Sequence, residues 1–195
     1  MKPTVLIAED EDNLALNLQF RLNALGYDAK EIVATSGDAI RVAGLWKPNI
    51  ILMDITLENG EDGIETASAI NQFLNVPIVY VTASNDPSIL ERAKNTNCYG
   101  YIMKPCDERN LVRSIEIALA RSAIQNRIMA SERMFRHIFE NSGDHVILLD
   151  KDCKIIDCNK QTLDELPTPW TNSKDAPSTK STISSKLNSQ QLQCV

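Results

Sequence analysis

Asn49-Ile50-Ile51-Leu52-Met53-Asp54 decides the fold. A run of large apolar residues that follows Pro48 and stops at an acid reads as a strand buried on both faces, not as one face of an amphipathic helix. Working outward, the same signature recurs. Thr4-Val-Leu-Ile-Ala8 ends at Glu9 and Asp10, Ile32-Val-Ala34 is a shorter version, Pro77-Ile-Val-Tyr-Val-Thr82 is a fourth, and Tyr99-Gly-Tyr-Ile-Met103 a fifth, followed by Lys104. Between them lie stretches of helical period. Leu14, Leu18, Leu22 and Leu25 precede a stop at Gly26, and Ser36 is placed to cap a helix carrying Ile40, Ala43 and Trp46. Ile64, Ala67, Ile70 and Leu74 form the next face, Asp86-Pro87 opens another helix, and Leu111, Ile115 and Ala118 follow Asp107. Five strands alternating with five helices predict an α/β fold with a parallel sheet covered on both sides.

Chemistry in such sheets gathers at the carboxyl ends of the strands. The residues found there are Glu9 and Asp10, Asp54, Thr82 and Lys104; strand two ends at Thr35, which receives no role. Three crowded carboxylates repel one another unless they hold a cation, and an all-oxygen donor set of this size suits Mg²⁺. Lys104 supplies a positive charge and Thr82 a hydroxyl donor for the oxygens of a phosphoryl group. Asp54 is then the nucleophile; a carboxylate already ionised at neutral pH needs no general base. Taken singly, each of these residues has an ordinary structural explanation as a cap, a turn or a loop residue. Their occurrence in order at four strand ends does not.

Val5-Leu-Ile-Ala-Glu-Asp-Glu11, Ile51-Leu-Met-Asp-Ile55, Val79-Tyr-Val-Thr-Ala83 and Gly100-Tyr-Ile-Met-Lys-Pro105 together resemble the signatures of response-regulator receiver domains of two-component signalling. The resemblance covers about residues 3–122. It implies a flavodoxin-like, doubly wound, five-stranded parallel sheet, with Glu9 and Asp10 as the acidic pair for Mg²⁺ and the main-chain carbonyl of Thr56 completing the metal shell. It also implies that Asp54 is phosphorylated by a phosphohistidine of a sensor kinase or histidine phosphotransfer protein, that Lys104 pairs with the phosphoryl group, and that the Lys104–Pro105 bond is cis. Thr82 and Tyr101 would be switch residues, rearranging the face built from the fourth helix, fifth strand and fifth helix for dimerisation or partner docking. Ser84 and the Thr56 side chain stand where the family tunes phosphoryl lifetime. On this basis the protein is a phosphoacceptor signalling domain, with no enzymatic activity beyond its own phosphotransfer and dephosphorylation. Haloacid-dehalogenase-like phosphatases also use a strand-end aspartate, but carry a second aspartate two residues on; here that position is Thr56.

The remaining chain divides less sharply. Residues 1–122 are expected to form the receiver and 123–140 a helical linker in which no clean heptad survives. Met134, Phe135, Ile138 and Phe139 then make an apolar stripe. Residues 131–166, with strands at His145–Leu149 and Lys154–Cys158 and then Asn159, resemble the start of a PAS sensory domain, giving an incomplete α+β fragment over 141–166. A relay within a receiver–PAS sensor protein is thus the alternative function. Pro167-Thr-Pro169 and the Ser/Thr/Gln-rich residues to 195 read as a disordered tail that cannot complete a ligand pocket. His137 and His145 are read as ordinary helix and strand-edge residues. A net charge of −6 and pI near 5.0 argue against nucleic acid as a direct partner, since phosphate binding needs a concentrated basic face. Five scattered cysteines fit neither a disulfide framework nor a zinc site. No signal-peptide core or membrane-length apolar run is present, and a cytoplasmic protein is expected.

Overall fold

The computed structural model describes residues 2–83, 91–93, 96, 98–152 and 155–165. Ser84, the Asp86-Pro87 helix start, Cys153, Cys194 and the polar tail lie outside the described residues. The chain divides into two compact units, residues 1–126 and 127–195.

In the first unit, strands β1 (Val5–Ala8), β2 (Ile32–Val33), β3 (Ile50–Asp54), β4 (Ile78–Thr82) and β5 (Cys98–Met103) pair in parallel, in the order β2-β1-β3-β4-β5. This is the flavodoxin-like order. Helices α1 (Asp12–Ala24), α2 (Ser36–Trp46) and α3 (Gly63–Asn71) precede a helical stretch at 91–93, here α4, and then α5 (Glu108–Glu140). Alternate strand residues feed two cores. Leu6, Ala8, Ile51, Met53, Ile78 and Tyr80 pack with Ala39, Val42, Ile64, Ala67 and Ile70 of α2 and α3. Val5, Ile7, Ile50, Leu52, Val79 and Val81 pack with Leu18 and Leu22 of α1 and Leu111 and Ile115 of α5. The apolar runs seen in the sequence are continuous because both faces of every central strand are covered, each buried Leu or Ile contributing about 1.5–3 kcal/mol.

Several boundaries differ from the sequence-based expectation. The cap of α2 is Thr35, not Ser36: Thr35 has extended backbone and its Oγ1 accepts the Asp38 N–H at 3.1 Å. Ser36 is already helical and sends its N–H to Glu61 Oε2 (2.5 Å) and its hydroxyl to Thr66 Oγ1 (2.6 Å). On α1 the buried face is Ala15, Leu18 and Leu22, whereas Leu25 is the C-cap, followed by Gly26 with φ 94°. Helix α5 begins where Asp107 accepts the Asn110 N–H at 3.0 Å and runs without a break for 33 residues.

The second unit contains an antiparallel hairpin, β6 (Ile147–Leu149) and β7 (Ile155–Cys158), and a helix α6 (Lys160–Glu165) that sequence pattern did not anticipate. Fully buried Asn159 organises it. Its Oδ1 accepts the N–H groups of Val146 and Thr162, both at 3.1 Å, and the Thr162 hydroxyl at 2.6 Å, while its Nδ2 donates to the Asp144 carbonyl at 2.9 Å. One side chain thus caps α6 and ties down the entry to β6. Of the stripe on the last turns of α5, only Phe139 is buried; Met134, Phe135 and Ile138 are exposed, because two short strands and one short helix offer little surface to cover them among the described residues.

Candidate functional site

Strand register brings the predicted residues together. Ala8 pairs with Met53, Asp54 with Val81, and Thr82 with Met103, so that Glu9, Asp54, Thr82 and Lys104 meet at one end of the sheet. The Lys104 N–H donates to the Thr82 carbonyl at 2.8 Å, extending the β4–β5 ladder by one residue. The Lys104–Pro105 peptide bond is cis. One ligand oxygen each from Glu9, Asp10 and Asp54 lies within 4.8 Å of the others. Glu9 is 2% exposed and Asp54 7%, while Asp10 is open to solvent.

The Lys104 ammonium sits between the two buried acids. It donates to Asp54 Oδ2 at 2.6 Å and to Glu9 Oε1 at 2.9 Å. It is also 2.9 Å from Glu9 Oε2, but not aimed at it, and that buried oxygen receives no directed hydrogen bond. Burial pushes the Glu9 carboxyl up to about 7; the hydrogen bond from Lys104 opposes this and the charge of Asp54 adds to it. Burial acts to lower the Lys104 ammonium, yet its bonds to Asp54 and Glu9 prevail and hold it above its ordinary value. Three acids crowd together, two of them share the Lys104 ammonium, one carboxylate oxygen is buried without a directed donor, and the ligand atoms on offer are all oxygen. A hard divalent cation fits that arrangement.

The loop after β3 is pinned to the site. The Thr56 N–H donates to Asp54 Oδ1 at 3.2 Å, and Thr56 and Asp62 form a β-bridge flanked by Leu57 N–H to the Glu61 carbonyl and Gly63 N–H to the Ile55 carbonyl, both 2.8 Å. Asp62 Oδ1 caps α3 by accepting the N–H groups of Ile64 (2.8 Å) and Glu65 (3.2 Å). Asp62 and Gly63 received no role in the sequence-based expectation; an Asp-Gly pair just before an apolar helical repeat was the available cap signal. A Cβ on Gly63 would overlap the Asp54 carbonyl. Gly63→Ala is therefore expected to cost about 3 kcal/mol in urea unfolding, at the upper end for overpacking, since the obstacle is backbone and cannot rotate away.

Thr82 is buried beside the acids. Tyr101 is half-buried on β5, its ring stacked on that of Tyr80 with centroids 6.1 Å apart and planes at 21°. Burial raises both phenols. Among the described residues Cys98 and Cys106 are free thiols. His137 lies in α5 and His145 just before β6, both away from the acidic cluster in sequence and in a different unit.

The family profile of the response regulator receiver domain matches residues 5–116. The chain belongs to the response regulator receiver family. Over 120 residues this receiver is 38% identical to the transcriptional regulatory protein PdtaR of Mycobacterium tuberculosis, an alignment covering 60% of this chain and 57% of PdtaR. The chain thus spans little more than half the length of that curated relative. Among solved structures, it is 38% identical to the signal receiver domain of a modulated diguanylate cyclase from Desulfovibrio desulfuricans, with a TM-score of 0.60 over 64% of this chain and 99% of that one. The N-terminal domain of a response regulator/sensory box/GGDEF three-domain protein from Carboxydothermus hydrogenoformans is also 38% identical, with a TM-score of 0.58 over 63% and 98%. Receiver domains generally bind Mg²⁺ at an acidic pocket, and the Glu9–Asp10–Asp54 cluster of this receiver occupies that position. No helix among the described residues is long and apolar enough to cross a membrane.

Proposed function

We propose that this protein is a phosphoacceptor of a two-component phosphorelay, taking a phosphoryl group from the phosphohistidine of a sensor kinase or histidine phosphotransfer protein onto Asp54. The observation that carries the reading is the Asp54 carboxylate, which accepts from the Lys104 ammonium at 2.6 Å and has carboxylate oxygens of Glu9 and Asp10 within 4.8 Å. Glu9, Asp10, Asp54 and the Thr56 carbonyl would hold Mg²⁺, which when bound supplies charge neutralisation for phosphoryl oxygens. A carboxylate oxygen of Asp54 attacks phosphorus, the P–N bond breaks, and its electron pair stays on the departing imidazole. Lys104, already poised between two acids, follows the new negative charge, and the Thr82 hydroxyl donates to another phosphoryl oxygen. The same contacts draw Thr82 toward the site and bias Tyr101, altering the α4-β5-α5 face for self-association or partner docking. The protein acts in the cytoplasm and is a signalling module, not a metabolic enzyme.

The test uses the full chain with Mg²⁺ and acetyl phosphate, read by intact mass. A single phosphoryl adduct is expected on the wild type and none on Asp54→Ala or in EDTA; an adduct that survives Asp54→Ala, or none on the wild type with any phosphodonor, refutes the assignment.

A second reading, a relay module of a receiver–PAS sensor, rests on the PAS-like resemblance of residues 131–166, over which the second unit holds an antiparallel hairpin followed by the Asn159-capped helix. The sensory box in the name of the Carboxydothermus protein is in keeping with that arrangement.

A further inference from the structure

The segment bearing the Thr56 carbonyl is held at both ends of a small loop, and its far end is tied to α4. Asp62 uses one carboxylate oxygen to cap α3 and the other to accept from Arg92 Nη2 of α4 at 2.5 Å. Asp62 is also the bridge partner of Thr56, and its neighbour Gly63 is pressed against the Asp54 carbonyl. Beyond Arg92, α4 continues into fully buried Ala93, whose carbonyl accepts the Thr96 N–H (3.0 Å) and hydroxyl (2.7 Å). Thr96 Oγ1 in turn shares a 2.9 Å hydrogen bond with the Tyr80 hydroxyl, and the Tyr80 ring stacks on Tyr101. Arg92 therefore stands where the metal loop meets the support of the tyrosine pair.

We propose that Arg92 is a positioning residue for divalent-cation binding: through Asp62 it fixes the 56–62 loop, and with it the Thr56 carbonyl, to α4. The proposal rests on the Mg²⁺ site described above. An ion pair with Arg92 half exposed and Asp62 28% exposed is worth a factor of about five at most. That bounds the effect it can exert on metal affinity. The sign of the effect discriminates between mechanisms. If Arg92 acted only through space, removing a cation near three carboxylates would tighten metal binding. If it positions a ligand, removing it loosens the loop and weakens binding.

Mn²⁺ binding to the full chain, followed by the electron paramagnetic resonance of free ion, tests this. Arg92→Ala is expected to raise Kd about three- to fivefold with little change in melting temperature. Asp62→Asn, which keeps a capping side chain, should do the same, and the double variant should show no further loss, the non-additivity of residues acting as a unit. Arg92→Lys should recover most of the affinity. Arg41→Ala, which removes another exposed ion pair, with Asp38 at 2.7 Å, should match the wild type. A wild-type or tighter Kd for Arg92→Ala overturns the proposal, as do multiplicative losses in the double variant. Absence of Mn²⁺ binding by the wild type would instead overturn the metal site itself, and the proposal with it.

Discussion

Lys104→Met is expected to destabilise the metal-free protein by about 3 kcal/mol near neutral pH, as removal of one partner from a buried charge cluster does. The reason is what it leaves behind. Lys104 is the ammonium bonded to both Asp54 and Glu9, and without it two buried acids lose their shared counter-charge in a site that excludes most water. The loss should be relieved in Lys104→Met/Asp54→Asn, because the second change removes one of the two acids that the first left without a counter-charge. Urea unfolding of the wild type, both single variants and the double gives the cycle directly. If the two single losses simply add, the cluster is not the source of the effect.

Stability of the metal-free protein should fall as pH rises from about 5 to about 8, a slope opposite to that of proteins whose carboxylates are mostly salt-bridged. Glu9 titrates near 7 in the folded protein, raised mainly by burial, and returns to about 4.5 when the chain unfolds. Between those values the native state holds a proton that the unfolded state has released. The stabilisation is full below about 4.5 and is lost as pH climbs through 7, amounting to on the order of 3 kcal/mol. Lys104, whose ammonium is held above its ordinary value near 10.5, contributes fully throughout this window. Asp62 is held low: burial works to raise it, but hydrogen bonds from Arg92 and from the Glu65 and Ile64 amides outweigh that, so its contribution is lost only in stronger acid, as pH falls below 3.8. Because a cation binds the ionised carboxylates, Mg²⁺ should protect more at about pH 8 than at about pH 5.5. Thermal melts across the range, with and without Mg²⁺ and with Glu9→Gln, measure all of this. A flat or rising profile in the absence of metal, or an unchanged slope in Glu9→Gln, contradicts the assignment.

Much of the receiver was legible from single residues. Buried parallel strands announce themselves as unbroken apolar runs, so β1, β3 and β4 and the acids or hydroxyl that end them could be read directly. The second unit was less legible: α6 is six residues long, too short for helical period to show, and its cap, Asn159, was visible only as a companion to Cys158. Ser36 and Thr35 are both good capping residues, and sequence alone does not say which of two neighbours keeps extended backbone.

By itself the sequence determined the kind of fold and the identity of the strand-end residues Glu9, Asp10, Asp54, Thr82 and Lys104, because apolar runs and the residues that stop them are local properties of the chain. Only the tertiary structure decided how those residues stand to one another. It put Lys104 between Asp54 and Glu9, buried Glu9 deeply enough to raise its carboxyl, left no room for a side chain at Gly63, and joined Asp62 to Arg92. These depend on strand register and on how closely loops approach across the sheet, and residues 30 to 95 positions apart acquire a common electrostatic environment only once the chain has folded.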